Sequence, residues 1–104
     1  MISVTIRRNN KSQIYGFTVK DHGETDACAA VSLLTLNTVN SIESLTVEPI
    51  VYDYDPEGGF LQVVLPQIKE GNESPQASLL LEAMALGLDS VKENYSSEIA
   101  LNES

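Results

Sequence analysis

The segment QIYGFTVKDHGETDACAAVSLLTLNTVNSIESL, residues 13–45, changes rhythm halfway along. From Gln13 to Lys20 the side chains alternate, with Ile14, Tyr15, Phe17 and Val19 as the sheet-forming members. A period of two is the signature of a strand with one buried face. From about Asp26 no Gly or Pro occurs for some twenty residues, and Val31, Leu34, Val39, Ile42 and Leu45 fall on a helical stripe. Thr25 or Asp26 is the expected N-cap. The Thr and Asn residues between Thr35 and Asn40 are poor helix formers, an objection that burial of the stripe can override. Strand, short loop, long helix is therefore the core of the fold.

Working outward, Ile2 to Arg8 alternates too, with Ile2, Val4 and Ile6 on one face, and Asn9 to Ser12 supplies turn chemistry for a hairpin. On the C-terminal side, Val47 to Tyr54 and Phe60 to Leu65 read as strands joined by the turn DPEGG. The stretch PQIKEGNES reads as a polar linker. Ser74, with Pro75 at the first helical position, opens a second helix whose apolar face is expected to hold Leu79, Leu80, Ala83, Met84, Leu86, Leu88 and Val91. The tail SSEIALNES is expected to end in at most a short extended piece. The order ββαββα predicts a single α+β domain over residues 1–104, in two layers, with helices on one face of a largely antiparallel sheet.

The totals narrow the function classes. Fifteen acidic residues face six basic ones in 104, a formal charge of −9. Nucleic-acid affinity rests on Lys and Arg contacts to phosphate, so direct DNA or RNA binding is not expected. Such a surface draws a basic partner instead, although acidity also serves solubility alone. No apolar run approaches the about 18 residues needed to span a bilayer. The N-terminus MISVTIRRNN alternates like a strand and lacks the apolar core of a signal peptide. One cysteine allows no internal disulfide, which fits a reducing cytoplasm.

That cysteine, Cys28, lies six positions after the only histidine, His22. Cysteine proteolysis needs a thiolate and an imidazole, and a thiol in the first turn of a helix meets unpaired N–H groups and the positive dipole end that favour the anion. The amides of Ala29 and Ala30 could face an oxyanion. Asp21, Glu24 and Asp26 crowd the loop; their charge opposes a thiolate and supports a protonated His22. The plainer readings stand beside this one: Cys28 as a small buried residue among alanines, His22 as a solvated loop residue. A metal site would need carboxylates to join one His and one Cys, and the spacing matches no standard pattern, so neither metal nor cofactor is expected.

The segment GFTVKDH (16–22) followed by CAAVS (28–32) resembles the ribosomal-processing cysteine protease (Prp) family. Members of that family carry a strand ending in Gly-His-Ala, a mobile loop, and an Asp-Ile-Val-Cys-Ala-Ala-Val-Ser block opening a helix. The likeness extends to VNSIESL (39–45), YDYDPEGG (52–59), a final helix and the closing Leu101-Asn102. It implies a cysteine endopeptidase that removes the N-terminal extension of a bacterial large-subunit ribosomal protein, cutting after an aromatic pair. It implies Cys28 as nucleophile, His22 as general base and proton donor, Ser32 as a support for the helix, and a homodimer. Tyr52, Tyr54 and Phe60 are candidates to receive the aromatic pair, and Asp26 to orient His22. The chain departs from the family in reading Asp21-His22-Gly23 for Gly-His-Ala, in placing Thr25 three before the cysteine where the family has Asp, and in a His–Cys interval about half as long. If the short interval separates the pair, the alternative is a non-catalytic acidic module that binds a ribosomal protein or its precursor.

Overall fold

The computed structural model describes residues 1–21, 23 and 25–104; His22 and Glu24 lie outside the described residues. Two strands come first, β1 (Ile2–Arg8) and β2 (Ile14–Lys20), then helix α1 (Asp26–Leu45). A second hairpin, β3 (Val51–Tyr54) and β4 (Phe60–Val64), leads into a one-turn helix α2 (Pro66–Lys69), the long helix α3 (Pro75–Asn94) and a last strand β5 (Ile99–Glu103). The five strands form one sheet in the order β3-β4-β2-β1-β5, antiparallel except for the β1–β5 seam. The expected α+β domain with helices packed on a largely antiparallel sheet is the fold observed.

Alternation explains the sheet. Ile2, Val4 and Ile6 are buried, and the register places Val19 opposite Val4 and Phe17 opposite Ile6. Val63, opposite Phe17, continues this buried face into β4. Asn9 closes the first turn, its Oδ1 accepting from the N–H groups of Lys11 and Gln13 at 2.9 and 3.1 Å. At Gly16 a Cβ would overlap the Val63 carbonyl oxygen, so β2 and β4 can approach there only because the side chain is absent.

The helices close the core from the same side, since α1 and α3 pack against each other. Ala27, Cys28, Val31, Thr35, Thr38, Val39 and Ile42 form the buried stripe of α1. Its two threonines answer the propensity objection. The hydroxyl of Thr35 donates to Val31 O at 2.8 Å and that of Thr38 to Leu34 O at 2.7 Å, so both are buried without an unmet polar group. At the crossing, Leu34 lies over Gly87 of α3, where an added Cβ would come within 2.8 Å of the leucine Cδ2.

Several expectations need correction. PQIKEGNES is not all linker, because Pro66 starts α2 and buries Ile68. The third strand starts at Val51 rather than Val47; Val47 is fully exposed and Pro49, lacking an N–H, precedes the pairing. The α1 stripe includes the threonines but not Leu45, which is exposed. On α3 the buried face is Ala77, Leu81, Met84, Ala85, Leu88 and Val91, and Leu79, Ala83 and Leu86 face outward. The run LLLEAMALGL is apolar nearly all round, so local periodicity did not fix which side the sheet would take. The tail forms a true strand, with Ile99 opposite Ile2 and Leu101 opposite Val4.

Candidate active site

Where β2 ends, Asp21 adopts a left-handed φ of 59° and turns the chain away from the sheet. Four residues later Thr25, with extended backbone, stops the chain short of helix and caps α1. Its Oγ1 accepts the N–H of Cys28 at 3.2 Å, and its carbonyl accepts the N–H of Ala29 at 3.1 Å. Thr25 rather than Asp26 is thus the N-cap, its hydroxyl oxygen accepting the amide three residues on, as an N-cap side chain does. Ala29 cannot serve an oxyanion as expected, because its N–H is already committed.

The thiol of Cys28 sits in this first turn, 3 % exposed and part of the core cluster. It is not merely apolar filler. The N–H of Gly23 donates to Sγ at 3.2 Å. Burial alone pushes the thiol up, and the charge of Glu98 adds to that; hydrogen bonding by the Thr25 side chain, then by the Gly23 and Thr25 backbones, outweighs both. The net result is a thiol that titrates below its ordinary value. Asp26, in the first turn of α1, is exposed. The expected roles of His22 and of Glu24 fall outside the described residues. Among those described, no three His, Cys, Asp or Glu side chains gather as metal ligands. No helix of the described residues is long and apolar enough to cross a membrane.

One helical turn beyond Cys28, Ser32 begins the wall of an apolar groove of about 420 Å³ that continues along α1 through Leu36, Val39 and Asn40. Its floor is Leu61 with Tyr52 and Tyr54, and its end is the β3–β4 turn at Asp55, Gly58, Gly59 and Phe60. The register accounts for this lining. Tyr52 lies opposite Val63 and Tyr54 opposite Leu61, which puts both tyrosines on the helix side of the sheet. The sheet extends past the cover that α1 gives it, so they remain 44 % and 59 % exposed although they share the core's face. All three aromatic candidates from the sequence therefore line one groove, together with Leu36, an exposed α1 residue that sequence reasoning did not single out. Its signal was an apolar residue lying off the buried stripe, four positions beyond Ser32.

The sequence model of the Peptidase_Prp family, described as Cysteine protease Prp, matches residues 1–100. The chain is 31% identical to the ribosomal processing cysteine protease Prp of Staphylococcus aureus (strain Mu50 / ATCC 700699) over 108 aligned positions, covering 98% of both chains. That aligned length exceeds the 104 residues of this chain, so the relative carries residues with no counterpart here. It is 28% identical over 102 residues to the ribosomal processing cysteine protease Prp of Bacillus subtilis (strain 168), covering 91% of this chain and 90% of that one. The fold superposes with a TM-score of 0.91, at 28% identity and full coverage of both chains, on the crystal structure of an essential ribosomal processing protease Prp from S. aureus in complex with a covalently linked product peptide. A thiol held by backbone and threonine at the start of the first helix, an adjoining apolar groove and these matches lead to one assignment: the chain belongs to the Prp family of cysteine proteases.

Proposed function

We propose that this protein is the endopeptidase that trims the N-terminal extension from a bacterial large-subunit ribosomal protein, with Cys28 and His22 as its catalytic dyad. The observation that carries the reading is the Cys28 thiol, lowered in pKa and hydrogen-bonded at 3.2 Å by the amide of Gly23, the residue that follows His22 in sequence. In this scheme His22 takes the thiol proton and the Sγ thiolate attacks the scissile carbonyl carbon. The C–N bond then breaks as His22 returns that proton to the leaving amine. Water, deprotonated by His22, attacks the thioester; the new carboxylate leaves and the thiolate is restored.

The groove beside Ser32 supports an aromatic pair ahead of the cut, because Tyr52, Tyr54, Phe60 and Leu36 offer apolar, partly open walls for ring contacts. Asp55 at its rim and the −9 charge of the chain suit a basic precursor and disfavour nucleic acid as a direct partner. We place the protein in the cytoplasm, where its lone thiol stays reduced. We further propose a homodimer, for which the outward stripe Leu79, Ala83 and Leu86 of α3, spaced i, i+4, i+7, supplies an apolar surface.

The test is a mass-spectrometric cleavage assay on a peptide carrying a ribosomal extension with an aromatic pair. Cleavage after the pair by the native protein, absent with Cys28→Ala and with His22→Ala, is the expected result. A folded native protein that binds this peptide and leaves it whole would put the non-catalytic module in its place. Size-exclusion chromatography with light scattering reads the dimer directly.

A further inference from the structure

We propose that Thr25 is a positioning residue for the nucleophile, capping α1 through its hydroxyl oxygen while donating an O–H hydrogen bond to Cys28 Sγ as the thiolate forms. The inference rests on the reading of Cys28 as nucleophile. The geometry begins with the cap: Thr25 Oγ1 accepts from Cys28 N at 3.2 Å, which fixes the hydroxyl against the very residue that bears the thiol. A hydroxyl oxygen that accepts a hydrogen bond still owns a proton and can rotate it toward a second partner. In a helix the side chain leans back toward the N-terminus, so Sγ lies over the turn that Thr25 begins. The amide of Gly23, two residues before Thr25, reaches Sγ at 3.2 Å, so the sulfur already has one fixed backbone donor to which the hydroxyl would add a second.

A carboxylate in this position could cap the helix equally well but, when ionised, has no proton to give. Threonine combines the two tasks, and its side-chain hydrogen bond is the foremost of the influences that lower the Cys28 thiol. One nearby charge pulls the other way. Glu98, on the segment entering β5, opposes the thiolate, and Asp26 in the first turn of α1 and Asp21 at the end of β2 bring further negative charge to this end of the domain. The groups that lower the thiol against this charge are neutral donors, the Thr25 side chain and the Gly23 and Thr25 backbones. Thr25 is itself exposed, so replacing it disturbs no packing.

The experiment follows the rate of Cys28 alkylation by iodoacetamide against pH, with peptide cleavage in parallel, for the native protein, Thr25→Ser and Thr25→Gly. Glycine is nearly as good an N-cap as threonine, so this variant removes the hydroxyl while sparing the helix. Thr25→Val, shaped like threonine without the oxygen, repeats the comparison should the glycine variant unfold. The serine variant is expected to keep the native midpoint. The glycine variant is expected to move it to higher pH, react about fivefold more slowly at neutral pH, and rejoin the native rate in alkali, where every thiol is ionised. A merely structural role would depress the rate equally at all pH values. A hydroxyl-free variant with the native midpoint overturns the proposal, as does a serine variant shifted as far as the glycine one. Failure of the underlying reading looks different: native Cys28 would stay unreactive throughout, or cleavage would survive in Cys28→Ala.

Discussion

The two long helices are equal in length, 20 residues each, and both follow a hydroxyl residue, yet their starts are built differently. Ser74 makes no side-chain cap to α3, which begins instead with Pro75 and the bond from Ser78 N to Ser74 O at 2.8 Å. Thr25 caps α1 through its side chain, which accepts the N–H of Cys28. Helix α3 needs little help at its end, because Ala77, Leu81, Met84, Leu88 and Val91 anchor it along its whole length. In α1 a buried stripe also runs the length of the helix, but the first turn carries in addition a side-chain cap bonded to the residue that bears the thiol. One helix is organised by its face, the other by its first turn as well.

The contrast is sharpened most by Cys28→Ala. Cleavage should fall by about 10³-fold or more, measured as kcat/KM, while the helix it starts remains formed. On α3 the effects should be reversed. Leu88→Ala, at a side chain with no exposure, should lower unfolding stability by about 2–5 kcal/mol in urea titrations and leave kcat per folded molecule unchanged. Loss of activity beyond the unfolded fraction would break the division of labour.

Leu36→Asp tests the groove. Leu36 is half exposed, so stability should hardly change, while KM for a peptide with an aromatic pair should rise about tenfold. At the caps themselves, Thr25→Ala should cost about 1 kcal/mol of stability and Ser74→Ala only a few tenths, read from paired denaturation curves. Equal losses would erase the difference between the two helix starts. The smallest effect concerns pH. The folded thiol titrates lower than the unfolded one, so its contribution to stability is absent below the folded midpoint and complete above the unfolded value of about 8.5. Native protein should therefore gain stability relative to Cys28→Ala as pH rises through that window.

Much of this was legible in the residues themselves. Short-range patterns narrow the cap to Thr25 or Asp26 and place Cys28 in the first turn, whereas Tyr52, Tyr54 and Phe60 became groove candidates only through the family resemblance. The unread parts depend on distant partners. Residues 99 and 101 alternate like any strand, but nothing local says they will pair with residues 2 and 4. Ile68 looks like a stray apolar residue in a polar stretch until Asn9 Nδ2, from the first hairpin, donates to its carbonyl at 2.8 Å. Leu79 and Leu81 are chemically alike, and only the placement of the sheet separates the buried one from the exposed one.

The parallel seam has a consequence for the order of events in folding. β1 emerges long before its second neighbour, β5, because the seam pairs Ile2 with Ile99. Closing so long a loop is entropically slow, and pairing between segments so far apart raises contact order. On an emerging polypeptide, β1 and β2 can zip together early, and α1 can dock on them, while the outer side of β1 stays open. Glu98, whose charge reaches the thiol, arrives only with that final strand. Completion of the sheet and arrival of the Glu98 charge beside Cys28 are therefore one step.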